Sequence, residues 1–408
     1  MQSVYDNAEL HYFSNPGCTP GGYPEELKDI LDADTAAAAR EEIARWAGYR
    51  PTPLHRLDAV ARDAGVDAVY YKDEGERFPP GSFKALGGAY AVERLLCEQI
   101  GCRIGVDVSL EDIRTVRYPD AAAAITVATA TDGNHGRSVA WGAQRFGCRC
   151  TIYIHREVSE GRKAAMEAYG ARVTRVDGNY DDSVRRAQSD AAANGWFIVS
   201  DTSYPGYTTL PRYVMAGYTL MMQEVFDQLD DPGALTHVFL QGGCGGLAAS
   251  VAAYLWQVRG AGQPRLVVVE PVQADCLYRS ASAGRRVDVN ITEESLMAGL
   301  SCGEVSTLAW TVVHRAVHDF ITLNDELIGP TMTLLARGTP PIVAGESAVP
   351  GLAALLAASR RETLRRTLGL ASASRILLLG TEGATDPGIY RELVGMAPRA
   401  VRATSRGS

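Results

Sequence analysis

Eight short apolar runs, at residues 68–72, 125–130, 150–154, 172–176, 196–200, 237–240, 266–269 and 376–379, are each followed by a stretch with helical patterning. That alternation restricts the fold more than any other feature. Strands separated by helices pair through β-α-β crossovers, which makes the sheets parallel and puts helices on both faces. A chain of 408 residues also exceeds the roughly 250 to 300 residues at which single cores stop growing. The expected fold class is therefore α/β, with two three-layer αβα domains and mainly parallel sheets. In open sheets of this kind ligands bind beyond the carboxyl ends of the strands, and the motifs below all fall at such ends.

Apolar residues make up 46% of the chain and charged residues 22%, the balance of a globular protein. The formal net charge of −8, with no clustering of Lys and Arg, argues against nucleic acid as a partner. No run approaches the length of a membrane span, and residues 1–10 are too polar for a signal peptide, so a cytoplasmic protein with no membrane partner is expected. Eight cysteines, at 18, 97, 102, 148, 150, 244, 276 and 302, contain no C-x-x-C pair. His314 and His318 have helical spacing but lack the intervening glutamate of a metalloprotease helix, and no metal site is expected.

Of the forty Lys plus Arg residues, four are lysine, at 28, 72, 84 and 163. Phe83 to Leu96, after Pro79-Pro80-Gly81-Ser82, reads as an amphipathic helix whose first turn carries Lys84. A cation is disfavoured at the positive end of a helix, and the same field pushes an amine toward its unprotonated, nucleophilic form. Phe83 adds desolvation. Such an amine suits a covalent bond to a carbonyl cofactor. A second motif, Gly242-Gly243-Cys244-Gly245-Gly246, lies between the strand 237–240 and a helical run. Strand, glycine loop and helix make a phosphate cradle of converging N–H groups. Pyridoxal phosphate accounts for both motifs. A dinucleotide is the rival ligand, because Gly243-x-Gly245-x-x-Ala248 is followed by Glu270 at the end of the next strand, where a ribose-binding acid sits in an NAD oxidoreductase.

The third motif is Thr131-Asp132-Gly133-Asn134-His135-Gly136, directly after the strand 125–130. Asn134 can donate to a phenolate-type oxygen, and Asp132 can accept a proton. Asp201-Thr202 ends the strand 196–200. Either aspartate has an ordinary alternative role as a turn or helix cap.

With these residues in view, the chain closely resembles the fold-type II pyridoxal-phosphate enzymes and, among them, the diaminopropionate ammonia-lyases. The resemblance covers nearly the whole chain. It is carried by Gly48-Tyr49-Arg50-Pro51-Thr52-Pro53-Leu54, Lys72-Asp73-Glu74, Phe83-Lys84-Ala85-Leu86-Gly87-Gly88, Thr131 to Gly136, Asn179-Tyr180-Asp181-Asp182, Asp201-Thr202, Met297 to Glu304, Gly345-Glu346-Ser347 and Thr381-Glu382-Gly383. Thr-Asp-Gly-Asn-His-Gly is the most specific of them, since many relatives have Ser-x-Gly-Asn-His there.

The resemblance implies a large cofactor-binding domain of residues 1–91 plus 215–408, a small domain of residues 92–214, and a homodimer; residues 401–408 read as a disordered tail. It implies that Lys84 holds pyridoxal 5'-phosphate covalently beside Phe83, that Asn134 contacts the ring oxygen, and that Gly242, Gly243, Cys244, Gly245 and Gly246 hold the phosphate. Thr381 is the expected partner of the pyridine nitrogen, with a register that can slip by one. The implied substrate is a small amino acid, 2,3-diaminopropionate in both enantiomers, eliminated to pyruvate and ammonia. Ser82, Thr131, Asp132, His135 and Asp201 are expected to line its pocket. Asp132 would take the Cα proton of the D-isomer and Asp201 that of the L-isomer, from opposite faces. Lys72 lies in a family motif and is expected near the site.

One departure bears on the substrate. The family typically has Asn-Ala before the Phe-Lys, whereas this chain has Gly81-Ser82, as in serine and threonine dehydratases. Dehydration of a β-hydroxy amino acid is the nearest alternative activity. Cys276 and Cys302 lie in matching family segments, either as neighbours or as two free thiols.

Overall fold

The computed structural model describes residues 4–19, 21–131 and 133–405. Its strands are, in chain order, β1 (Leu10–Ser14), β2 (Leu54–Arg56), β3 (Ala68–Asp73), β4 (Thr126–Ala130), β5 (Arg149–Ile154), β6 (Arg172–Arg175), β7 (Phe197–Ile198), β8 (His237–Gln241), β9 (Arg265–Pro271), β10 (Asp319–Leu323) and β11 (Arg375–Gly380). They form two sheets, in the orders β1-β10-β9-β8-β11-β3-β2 and β6-β5-β4-β7. All pairings are parallel except those of the edge strands β1 and β2, which are antiparallel.

The chain divides into two compact units: Met1–Ala33, Pro51–Glu76 and Met221–Ser408 in one, Asp34–Arg50 and Arg77–Leu220 in the other. The first holds the seven-stranded sheet. Its central strands read as unbroken apolar runs because both faces are covered; every residue of β8 is buried. Val69, Phe239, Val267, Ile321 and Leu378 pack there with the helix Pro350–Ser359, apolar up to its last residue. β10 begins with a charge, Asp319, that is fully buried. It tolerates burial because Arg265 on β9 donates to both its oxygens, at 2.5 and 2.9 Å, and Tyr12 on β1 donates at 2.7 Å.

The second unit holds the four-stranded sheet and the helix Lys84–Ile104. Gly87 and Gly88 let neighbouring helices approach it closely. A Cβ on Gly88 would lie 2.2 Å from Ser138 Oγ in the helix Asn134–Phe146, and one on Gly87 would lie 2.5 Å from the ring of Tyr218 in the helix Thr209–Gln228. By compactness, residues 34–50, 77–91 and 215–220 group with 92–214, and the helix Lys84–Ile104 runs unbroken through the expected boundary at residue 91. Pro398–Ser405 is helical with Val401 buried, so the tail expected to be disordered from residue 401 is ordered through Ser405, while residues 406–408 lie outside the described residues. Among the described residues no helix is long and apolar enough to cross a membrane.

Candidate active site

β4 and β7 are adjacent and parallel, with Val127 opposite Phe197 and Ala128 opposite Ile198. Their carboxyl ends therefore lie side by side, and the chain leaves each into a candidate motif. After β4, Thr131 Oγ1 accepts from the amides of Gly133 and Gly136, both at 3.1 Å. This turn satisfies two N–H groups at a helix start and puts Asn134 at the first position of Asn134–Phe146. Asp132, the other acid expected here, lies outside the described residues.

Lys84 is the first residue of its helix, inside the first turn as expected although the helix begins one residue later than Phe83, and its amine donates to Asp201 Oδ2. The two side chains are 17% and 16% exposed, so the pair is not sealed off. Nζ lies 5.4 Å from the ring centroid of Phe83 and 5.9 Å from that of Tyr218. Phe83 is buried against Tyr218, with centroids 4.6 Å apart. Ser82 is wholly buried, and its hydroxyl accepts from the Lys84 amide at 3.4 Å.

His135 Nε2 donates to the Val199 carbonyl at 2.9 Å, which leaves Nδ1 as the acceptor nitrogen of the neutral ring. Burial lowers the imidazole pKa, so the neutral form prevails. Nδ1 stands 3.8 Å from Asp201 Oδ2, and two acceptors at that distance make no hydrogen bond. Burial alone would raise the Asp201 carboxyl; the charges of His135 and Lys84 and the hydrogen bond from Lys84 outweigh it and hold the group well below the usual carboxylate range. The His135 contribution requires an imidazolium, which its own burial disfavours, so Lys84 is the partner that keeps Asp201 ionised.

In the first unit, β8 runs into the glycine loop, where the Gly242 amide donates to Val269 O at 2.9 Å. Gly243 and Gly245 have φ of +71° and +93°, values that L side chains rarely adopt, and the helix Gly246–Arg259 begins at once. A Cβ on Gly242 would lie 2.3 Å from Glu270 Cγ. The loop, whose one side chain is that of the buried Cys244, is thus a backbone cradle at a helix N-terminus, a fit for a phosphate. Glu270 is fully buried and accepts from the amides of Leu277 at 3.0 Å and Tyr278 at 2.7 Å. Its carboxylate caps the helix Cys276–Ala283, which removes the ribose-binding acid that a dinucleotide site needs.

Thr381 follows β11 and is buried; its hydroxyl donates to the Ser347 carbonyl at 3.1 Å. Ser347 also accepts from the Gly299 amide at 2.9 Å through Oγ and donates from its own amide to Glu382 Oε1 at 2.9 Å. Sequence reasoning assigned no role to Ser347 or to Met297–Glu304, although both lie in the family segments quoted above. Lys72 serves packing: it is fully buried and its amine donates to Thr52 O at 2.7 Å, Gln228 Oε1 at 2.9 Å and Glu224 Oε2 at 2.7 Å. All eight cysteines are free thiols, and Cys276 Sγ points at Gly243 O, 3.5 Å away. Each unit holds part of what pyridoxal phosphate requires: a primary amine beside a carboxylate in the second and a phosphate cradle in the first.

Comparison with known proteins gives the same answer. Residues 46–379 match the family of pyridoxal-phosphate-dependent enzymes. The diaminopropionate ammonia-lyase of Escherichia coli (strain K12) is 38% identical over 387 residues, which span 92% of this chain and 95% of that one. A crystal structure of the Escherichia coli enzyme in complex with an aminoacrylate-PLP azomethine reaction intermediate superposes with a TM-score of 0.85 at 36% identity, covering 95% of this chain and 97% of the other. The same enzyme in complex with D-serine gives a TM-score of 0.85 at 36% identity and equal coverage.

Proposed function

Because the chain belongs to the pyridoxal-phosphate-dependent enzymes and, within them, to the diaminopropionate ammonia-lyases, and is thus a pyridoxal-phosphate-dependent ammonia-lyase, we propose that it converts both D- and L-2,3-diaminopropionate to pyruvate and ammonia. The observation that carries the residue assignment is the hydrogen bond from the Lys84 amine to Asp201, a nucleophile and a proton acceptor in contact. Lys84 would hold the cofactor covalently, with Phe83 beside it, Asn134 at the ring oxygen, Gly242, Gly243, Cys244, Gly245 and Gly246 on the phosphate, and Thr381 at the pyridine nitrogen. When bound, pyridoxal phosphate supplies an electron sink that makes the substrate Cα–H acidic.

The chain supplies the rest. Asp201, whose carboxyl is held well below the usual carboxylate range while the Lys84 amine is free, would take the Cα proton of the L-isomer, and Asp132 that of the D-isomer. Thr131 holds the turn that presents Asn134, and His135 stays neutral and fixed on Val199, bordering the pocket with Ser82 behind Lys84. Residues 1–91 plus 215–408 and 92–214 are the proposed functional domains, and a cytoplasmic homodimer is the proposed setting; both rest on the family likeness.

Dehydration of a β-hydroxy amino acid is the second reading, favoured by Gly81-Ser82 before Phe83-Lys84. The deciding experiment assays D- and L-diaminopropionate beside D- and L-serine and threonine, with borohydride used to fix the cofactor. Diaminopropionate turnover ahead of serine, with the label on Lys84, is expected. Faster turnover of serine or threonine, or a label on another lysine, would sink the proposal.

A further inference from the structure

The turn before Lys84 carries an unusual backbone. Phe78 has φ of +51°, one of two positive values at non-glycine positions among the described residues, and Gly81 has φ of +66°. The left-handed region is unfavourable for a bulky side chain, so the surrounding structure must hold Phe78 in it. Its ring provides the grip. The centroid lies 4.9 Å from that of Trp141, at an interplanar angle of 30°, 5.7 Å from Trp46 and 6.5 Å from Tyr49. Trp46 is itself fixed, by Trp141 at 5.9 Å, by Phe146 at 5.8 Å and by the bond from its Nε1 to Glu93 Oε2 at 3.1 Å.

The way from this ring to the amine is short and stiff. Pro79 and Pro80 fix two φ angles, and the Gly81 amide closes the turn by donating to Phe78 O at 3.1 Å and Arg77 O at 3.2 Å. Ser82 is buried, and its hydroxyl accepts from the Lys84 amide. At the far end Ser138, one turn before Trp141, donates to Lys84 O at 2.6 Å. The same helix thus holds both ends of the connection.

We propose that Phe78 is a positioning residue for the reaction: its ring, gripped by Trp141 and Trp46, holds the left-handed turn that sets where Lys84 enters its helix and so keeps Nζ against Asp201. The inference rests on the reading that Lys84 carries the cofactor.

The test uses holoenzyme variants. Phe78→Gly accepts the left-handed backbone without strain and loses the ring. Phe78→Tyr keeps the ring. Trp141→Leu removes the nearest grip and leaves the turn's own sequence intact. Phe146→Leu loosens the far side of the aromatic cluster while Trp46 stays held by Trp141 and by its bond to Glu93. Phe78→Gly and Trp141→Leu are expected to lower kcat by about 10- to 100-fold, the range for a displaced reacting group, with little change in KM and with a weakened visible circular dichroism band of the bound cofactor. Phe78→Tyr should restore both signals, and Phe146→Leu should lower Tm while leaving kcat and the band unchanged. Wild-type kcat and dichroism in Phe78→Gly, or equal losses in Phe146→Leu, would overturn the inference while borohydride still labels Lys84. Absence of that label in the wild type would overturn the cofactor reading and this inference with it.

Discussion

The Ser138 hydroxyl donates to the Lys84 carbonyl at 2.6 Å, joining the helix that carries the amine to the helix that opens with Asn134. Gly88 makes the contact possible, since a Cβ there would lie 2.2 Å from Ser138 Oγ and 3.0 Å from Ser138 Cβ. In an exposed helix Gly→Ala would stabilise by about 1 kcal/mol, but here overpacking, at about 1–3 kcal/mol, outweighs that gain. Gly88→Ala should therefore lower the unfolding free energy. Ser138→Ala should cost about 1 kcal/mol, the worth of one hydrogen bond. The double variant should lose less than the sum, because removing Oγ relieves the shorter clash. Urea melts of the three variants check this.

Asp201 is the acceptor of the Lys84 amine, so its replacement is read on the reaction itself. Asp201→Asn should lower kcat on L-diaminopropionate by about 10²- to 10⁴-fold, the usual contribution of a positioned base, and leave the D-isomer far less affected. Asp132→Asn should do the reverse. Equal losses on both enantiomers in either variant would remove the two-base assignment.

Lys72 and Glu224 form an ion pair at 2.7 Å with side chains 0% and 2% exposed. Removing one partner of such a pair leaves a buried charge and costs about 3–5 kcal/mol. Lys72→Met should lower stability by that order, and adding Glu224→Gln should recover part of it. Since Lys72 is held by Thr52, Gln228 and Glu224, folded Lys72→Met protein should keep its KM; a large rise in KM would move Lys72 into the site.

Local pattern made the parallel core readable. β3, β8, β9 and β11 are apolar runs bounded by turns, and Lys84 stood out as an amine at a helix start. β10 escaped notice because it opens on Asp319, whose burial depends on Arg265 and Tyr12 from other strands. The strand expected at 196–200 shrinks to Phe197–Ile198, since its end bonds elsewhere: the Ser200 amide donates to Tyr207 Oη at 2.9 Å. The partners of Ser347 were not legible for a similar reason. Its partners, Gly299, Thr381 and Glu382, are brought together only by the sheet. The grip on Phe78 is collected from residues 46, 49 and 141, and no local spacing encodes it.

Glu93 makes stability depend on pH. It is fully buried on the Lys84 helix, and burial, reinforced by the nearby charge of Glu42, pushes its carboxyl up to about 9; the Trp46 hydrogen bond and the Arg145 charge oppose the rise. Glu42 is already engaged by Arg114 at 2.8 Å. The unfolded carboxyl titrates at about 4.3. Between those values the folded chain holds a proton that the unfolded chain has lost, so the group's stabilisation is complete below the unfolded value and is lost as pH rises through the folded one. The slope is at most about 1.4 kcal/mol per pH unit. Glu93→Gln keeps an acceptor for Trp46 and cannot ionise. Unfolding free energies measured from pH 6 to pH 9 should fall less steeply in Glu93→Gln than in the wild type, and parallel curves would show that Glu93 carries no proton in the folded chain.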